Sequence, residues 1–530
     1  MSATAQNNIK DLPLRDSEDA AHQGDPDAPG SPISVPDSGD HGEGGKLKMI
    51  VQLVKRSLGV KDLAAMRISL PASLLEPVPN LEYWGYLDRP DLFLAINDRD
   101  DPLERMLSAL RFTFSKDLKF IKGKVCKAYN SVLGEHFRAY FDVPSNAITY
   151  KSNESTEPLD FTWHLDENDG ESSHLTSLTA PTIRVKSPSS ASLSVKSIKD
   201  QPMLSDHHYA ESSPNLQRPV STHESSYAPS TIEAVDSSVP HSRVLFITEQ
   251  VCHHPPISSF HFECAEKGVE GCGVDQIAAR ITGTTLKVGP GSQNKGIFLK
   301  ITKGHGAGET YWITHPTACV NGILRGSFYA TITESTTITC TGPSGEKLRA
   351  IIEYKDEPWL GAPRFLLEGV IYKYTEGSEQ ETWTKVKQVP RDLVVATFEG
   401  CWRKIITWKK VGSDVANPLI DLTPLALVPK QVRPLDEQLP NESRKLWEGV
   451  TSNLLKKEWS EATRVKQVIE QKQRDIAAER RKKNQPFVPV YFESDISSGA
   501  PNLTAEGKKV MEEMAKYSPA NRMTDATTGV

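Results

Sequence analysis

A chain of 530 residues has room for two to four average domains, or for one large all-β domain with tails; 38% hydrophobic residues, 34 Gly and 36 Pro describe a globular protein diluted by stretches that do not pack. A formal net charge of −6 excludes a protein whose main task is coating nucleic acid, which needs a net basic face to displace counterions. Seven cysteines, an odd number with no CxxC pair, argue against a disulfide framework or a zinc ribbon and for a reducing compartment, the cytosol.

The opening residues MSATAQNNIKDLPLRDSEDA have no basic region followed by an apolar core, so no secretory signal is expected. No run approaches the roughly 18 apolar residues of a membrane span, and membrane contact is expected to be peripheral. Residues 1–45 are acidic and rich in Gly, Pro and Ser, a composition that reads as a disordered tail. In KLKMIVQLVKRSLGV, Leu47, Ile50, Val51, Val54 and Leu58 fall at helical spacing with Lys46, Lys48, Lys55 and Arg56 on other faces, predicting a short basic amphipathic helix. Residues 46–150, with the extended LPASLLEPVPN and the helical PLERMLSALRFTF, form the first part of the fold. Residues 151–240 are Ser/Thr/Pro-rich without a period and read as a disordered insertion.

From 241 to 430 the pattern changes to short β-branched and aromatic runs: RVLFITEQV, GIFLKIT, ETYWITH, SFYATITESTTITCT, RAIIEYK, FLLEGVIYKY and ETWTKVKQV. This predicts antiparallel β-structure, as a barrel wide enough for a ligand or as a sandwich. Helix formers return over 431–500, where ESRKLWEGVTSNLLKKEWSEATRVKQVIEQKQRDIAAERRKK reads as one helix or two, stopped by Pro486; residues 501–530 read as a tail. No fixed-period repeat appears.

Three motifs stand out. In EQVCHHPPISSF, consecutive histidines on an extended chain would point to opposite faces, and Pro255 and Pro256 remove two backbone donors. A zinc site there would need third and fourth ligands; His261 and Cys264 are near, but the spacing matches no established site. Upstream lies KAYNSVLGE, by itself an ordinary turn with a solvated lysine. Downstream, Lys466, Glu470 and Arg474 sit four apart and line one helix face. Such spacing often decorates exposed helices, although Lys N-terminal to Glu is the less favourable order for helix support.

EQVCHHPP resembles the EQVSHHPP fingerprint of the oxysterol-binding-protein-related family, with Cys252 in place of its usual Ser. KAYNSVLGE is similar to the family's KPxNPxLGE loop, with Ala128 and Ser131 replacing its prolines, and KQVIEQKQR resembles its C-terminal KxxxExxxR pattern. The resemblance implies an α+β, mainly antiparallel β fold: a large, near-complete β-barrel enclosing a lipid tunnel, an N-terminal amphipathic lid at Leu47, Ile50, Val51, Val54 and Leu58, and a C-terminal helical region. It also implies that His253, His254 and Arg474 grip the 4-phosphate of phosphatidylinositol 4-phosphate, with Lys127, Asn130, Lys466 and Glu470 around the headgroup. Leu133, Gly134, Glu135, Glu249, Gln250, Pro255 and Pro256 would support that site. The chemistry suits the ligand, since a phosphomonoester carries about −1.5 to −2 charges and cationic side chains meet it through charge-assisted hydrogen bonds. The histidines would make the grip sensitive to pH.

The implied function is non-enzymatic, cofactor-free lipid transfer by a monomer that exchanges one cargo lipid, sterol in preference, for the phosphoinositide at cytosolic surfaces of anionic membranes. Phosphatidylserine as cargo, or sensing without transport, are the other readings. No GxSxG nucleophile elbow is present, and KGHGAGE lies between strands without a GK[ST] ending, as a hairpin turn would. The stretch before the lid is short and polar, so no pleckstrin-homology or ankyrin module of the kind found in longer relatives is expected there. PVYFES fits an acidic-aromatic targeting motif poorly and reads as part of the folded domain.

Overall fold

The computed structural model describes residues 75–122, 127–144, 241–282, 285–321, 329–343, 347–358 and 362–518, with Met49, Gln52 and the two-residue parallel pair β1 (Ile33–Ser34) and β2 (Ile68–Ser69). The strands that follow are β3 (His136–Pro144), β4 (His241–Cys252), β5 (Ile257–Cys264), β6 (Val269–Asp275), β7 (Ile277–Thr282), β8 (Thr285–Pro290), β9 (Ile297–Ile301) and β10 (Thr310–Ile313). Then come β11 (Thr317–Asn321), β12 (Tyr329–Thr333), β13 (Ser335–Thr341), β14 (Leu348–Tyr354), β15 (Leu366–Lys373), β16 (Val394–Cys401), β17 (Ile405–Lys410) and β18 (Asn417–Asp421). Twelve of them form one antiparallel sheet in the order β18-β17-β16-β15-β14-β13-β10-β9-β6-β5-β4-β3, and four form a second in the order β12-β11-β8-β7. The mainly antiparallel expectation is met. The insertion 151–240 and the lid residues Leu47, Ile50, Val51, Val54 and Leu58 lie outside the described residues; Met49, within the same segment, is helical and buried.

Among the residues described from 75 onward, four α-helices precede the large sheet: α1 (Asn80–Tyr83), α2 (Pro90–Leu94), α3 (Pro102–Ser115) and α4 (Lys119–Lys122). Helix α3 starts where the sequence marks it, with the Asp101 carboxylate accepting from Leu103 N at 2.9 Å and Pro102 in the first turn. It is buried nearly all round and packs against β13, β14 and β18. Its two core arginines have fixed partners: Arg105 donates to the Glu309 carboxylate from Nε at 2.8 Å and Nη2 at 2.5 Å, and Arg111 Nε donates to Leu419 O at 2.9 Å. Partners of this kind offset the cost of burying a guanidinium.

Strand β6, VEGCGVD, is absent from the runs read in the sequence because two glycines depress its strand propensity. Tertiary packing requires them. Gly273 and Gly271 pair in register with Phe260 and Phe262 of β5, whose rings lie across them, and a Cβ would stand 2.5 Å from Phe260 Cζ and 2.4 Å from Phe262 Cε2. Phe262 in turn meets Phe93 edge-on, with ring centroids 5.0 Å apart, tying the sheet to α2.

Three expectations are corrected. ETWTKVKQV is not a strand: it takes in the end of one 3-10 turn, Glu379–Thr382, and the whole of a second, Val386–Gln388. Its backbone donors go to side chains, Thr384 N and Lys385 N to Gln388 Oε1 and Val386 N to Glu353 Oε2, so no ladder forms. SFYATITESTTITCT contains β12 and β13, which belong to different sheets and are separated at Glu334, φ 71°, whose carboxylate accepts from Thr317 Oγ1 at 2.9 Å. The stretch from 501, expected as a tail, contains α8 (Ala505–Lys516), with Val510, Met511 and Met514 buried against Tyr140, Leu245 and Ile247. KGHGAGE is a turn between β9 and β10, with Gly304 and Gly308 at φ 84° and 88°.

The Gly273→Ala variant is expected to lose about 1–3 kcal/mol through overpacking against Phe260 and the Gly296 carbonyl, read as a lower urea midpoint at unchanged m-value.

Candidate functional site

The loop 127–135 alternates between outside and inside. Lys127 and Asn130 are exposed, with Lys127 Nζ donating to Asn130 Oδ1 at 2.6 Å and to Ala128 O at 3.0 Å. Tyr129 and Val132 point inward, where the Tyr129 ring lies 5.2 Å from that of Trp447 and its hydroxyl bonds Thr451 Oγ1 at 3.0 Å. Leu133 and Gly134 form the turn; Gly134 is at φ 78° and a Cβ on it would stand 3.2 Å from Phe487 Cε2. The loop ends on Glu135, fully buried, whose carboxylate accepts from Val132 N at 3.0 Å, Ser443 Oγ at 2.7 Å and Trp447 Nε1 at 3.0 Å.

This loop is joined directly to the double-histidine strand: Gln250 N donates to Glu135 O at 2.8 Å and Gly134 N to Gln250 O at 3.0 Å. One residue earlier, the buried Glu249 carboxylate accepts from Val490 N and Tyr491 N, both at 2.8 Å. Gln250 Nε2 closes onto Cys252 O at 2.7 Å, and the strand stops there. His253, His254, Pro255 and Pro256 then form the β4–β5 turn, with a cis His254–Pro255 bond and the Cys252 thiol 3.5 Å from His254 O. The imidazoles therefore do not take opposite faces: leaving the strand brings their ring centroids to 4.4 Å.

The third motif rides on a helical region that begins with α5 (Ser443–Leu446) and α6 (Glu448–Leu455) and continues as α7 (Trp459–Lys482). Ala462, Val465 and Ile469 dock α7 onto Tyr129, Val132, Trp447, Val450 and Leu454. On that helix Lys466, 9% exposed, pairs with Glu470 at 2.7 Å, while the half-buried Arg474 donates from Nε to Gln471 Oε1 at 3.0 Å rather than to Glu470. Beyond α7, Phe487 packs on Gly134, and the Arg480 guanidinium lies 5.4 Å above the Phe487 ring. All three motifs thus share one frame, held by Glu135 on one side and Glu249 on the other.

Burial pushes the Glu135 carboxyl up to about 7 despite its three donors, and raises Glu249 for the same reason. Burial, with Arg138 alongside, pushes the neighbouring His136 down to about 4. Of the residues considered for a metal, His261 Nε2 instead lies 3.0 Å from Glu263 Oε2, and among the described residues no group of three His, Cys, Asp or Glu side chains is arranged to hold an ion. Tyr491 and Phe492 of PVYFES are buried core residues. Sequence reading missed Ser443, Trp447 and Phe487; the available signal was a glutamate next to the apolar Val132 and Leu133, which once buried must find donors elsewhere.

The family model described as oxysterol-binding protein matches residues 49–179 and 230–519. The chain belongs to the oxysterol-binding protein family. It is 40% identical over 485 residues to oxysterol-binding protein-like protein 1 of Schizosaccharomyces pombe, covering 89% of this chain and 91% of that one. It is 26% identical over 430 residues to human oxysterol-binding protein-related protein 10, covering 80% of this chain but 44% of that protein, so it spans less than half of this human relative. Among solved structures it is similar to the Osh1 ORD domain in complex with cholesterol, at 18% identity and a TM-score of 0.53 over 87% of each chain, a likeness in fold.

Glu135→Ala leaves three buried donors without an acceptor and is expected to cost about 3 kcal/mol or more in chemical unfolding. A pH series on Glu135→Gln separates two opposing slopes. A carboxyl raised from 4.5 to about 7 favours the folded state at low pH and loses that contribution as pH rises through this window, so the parent should decline relative to the variant between these values. The lowered His136 contributes stability that is lost as pH falls from 6.5 toward 4, and this slope should persist in both proteins.

Proposed function

We propose that this oxysterol-binding protein family member is a non-enzymatic, monomeric lipid carrier that holds one lipid, a sterol in preference, and exchanges it for phosphatidylinositol 4-phosphate between membranes it touches only peripherally. In this reading the twelve-stranded sheet curves into a near-complete barrel, since a ladder of that length can enclose a ligand-sized interior. No described helix is long and apolar enough to cross a membrane.

The observation that carries the proposal is the joining of the three cationic motifs on one frame. His253, His254 and Arg474 would receive the phosphate, with Lys127 and Lys466 adding charge-assisted hydrogen bonds. Asn130 and Glu470, already bonded to those two lysines, would bind inositol hydroxyls as the lysines turn to the ligand. The likeness to an ORD domain crystallised with cholesterol supports sterol as the cargo class.

A liposome transfer assay with labelled sterol, phosphatidylserine and phosphatidylinositol 4-phosphate tests this. The parent should move sterol in one direction and phosphoinositide in the other. His253→Ala/His254→Ala should lose phosphoinositide extraction by at least about tenfold while still extracting sterol. Failure of the parent to extract either lipid would overturn the proposal; cargo binding without movement between vesicles would reduce it to sensing.

A further inference from the structure

In a chain with a net charge of −6, the end of α7 carries Arg480, Arg481, Lys482 and Lys483 in succession. One or two cations at a helix C-terminus answer the helix dipole, but four in a row span more than a full turn and cannot share one packing face. Nor are they needed to cap the helix. Asn484, at φ 50°, reverses the chain, and backbone donors satisfy the last carbonyls: Asn484 N bonds Arg481 O at 3.0 Å and Gln485 N bonds Arg480 O at 2.9 Å. Arg480 covers Phe487, whereas Arg481, Lys482 and Lys483 are exposed; the Lys483–Glu479 pair at 2.6 Å is a solvent-exposed contact of little energetic weight.

The chain that follows has no regular secondary structure, yet it sorts its side chains sharply. Phe487 packs on Gly134 and Pro489 is buried, while Val488 and Val490 are 66% and 50% exposed. Both valines are exposed, and the segment is held in place because Val490 N is fixed to the Glu249 carboxylate at 2.8 Å. The result is an anchored segment whose exposed residues are cationic at 481–483 and apolar at 488 and 490, joined through Phe487 to the loop that carries Lys127 and Asn130.

We propose that the α7 C-terminus with Val488 and Val490 is a docking surface for an anionic lipid bilayer: Arg481, Lys482 and Lys483 meet the headgroups and the two valines enter the boundary beneath them. Basic residues at an anionic leaflet and apolar side chains at its interface contribute separately, and this segment presents both. The inference rests on the lipid-carrier reading and adds the face by which the carrier meets its membrane.

Co-sedimentation of the full chain with phosphatidylcholine vesicles, with and without phosphatidylserine and always lacking phosphoinositide, tests it apart from headgroup binding. Arg481→Gln/Lys482→Gln/Lys483→Gln should lower partitioning onto the anionic vesicles by at least about tenfold, while Lys508→Gln/Lys509→Gln/Lys516→Gln, the same charge change on exposed positions of α8, should stay within about twofold. Val488→Ser/Val490→Ser should weaken binding several-fold and leave its salt dependence intact. His253→Ala/His254→Ala should dock normally, so loss of transfer with intact docking counts against the carrier reading and not against this surface. Equal partitioning of parent and α7 variant, or equal loss in the α8 control, overturns the proposal; binding of the parent to polyglutamate instead of vesicles replaces the membrane by an acidic protein partner.

Discussion

One buried carboxylate fastens elements that are far apart in the chain. Glu135 accepts from the Val132 amide in its own loop, the Ser443 hydroxyl at the start of α5 and the Trp447 indole where α5 passes into α6. An unmet donor in such a place costs as much as the bond is worth, so all three elements are constrained at once. The exposed Lys127 and Asn130, the double-histidine turn and the Lys466 face of α7 each lie one or two contacts away. Glu249 repeats the arrangement on the other side, holding 490–491 by two backbone donors.

The same economy governs the rest of the interior. Buried charged groups stand in ion pairs, as with Arg105 and Glu309, Arg138 and Glu442 at 2.5 Å, and the buried Glu82 with the half-buried Arg444 at 2.6 Å. The last two pairs tie the end of the sheet and α1 to the segment that opens the helical region, so that region is part of the body against which the sheet is built. Removing one partner of such a pair is far more damaging than the pair is stabilising. By contrast, Lys127 and the cations at the α7 end are exposed and Arg474 is half-buried, while Lys466 is buried against Glu470.

Much of this was legible in the residues. The antiparallel strands from His241 onward follow from β-branched and aromatic runs between turn residues, and α3 follows from the helical stretch PLERMLSALRFTF that begins at Pro102. Where reading failed, tertiary contacts had overridden local preference. VEGCGVD becomes a strand because the Phe260 and Phe262 rings occupy the space above its glycines. ETWTKVKQV, rich in strand formers, becomes 3-10 turns because Gln388 and Glu353 take its backbone donors.

The site divides in the same way. By itself the sequence determined the chemistry: which cations and amides exist, their four-residue spacing on one helix, and the glutamates that end one motif and begin the other. Only the tertiary structure decided what those glutamates do and how the histidines stand. Burial and hydrogen-bond satisfaction depend on residues hundreds of positions away, such as Trp447 for Glu135, and no local spacing encodes them. The imidazoles meet at 4.4 Å because the strand ends one residue before His253, a boundary set by how β4 pairs with β5.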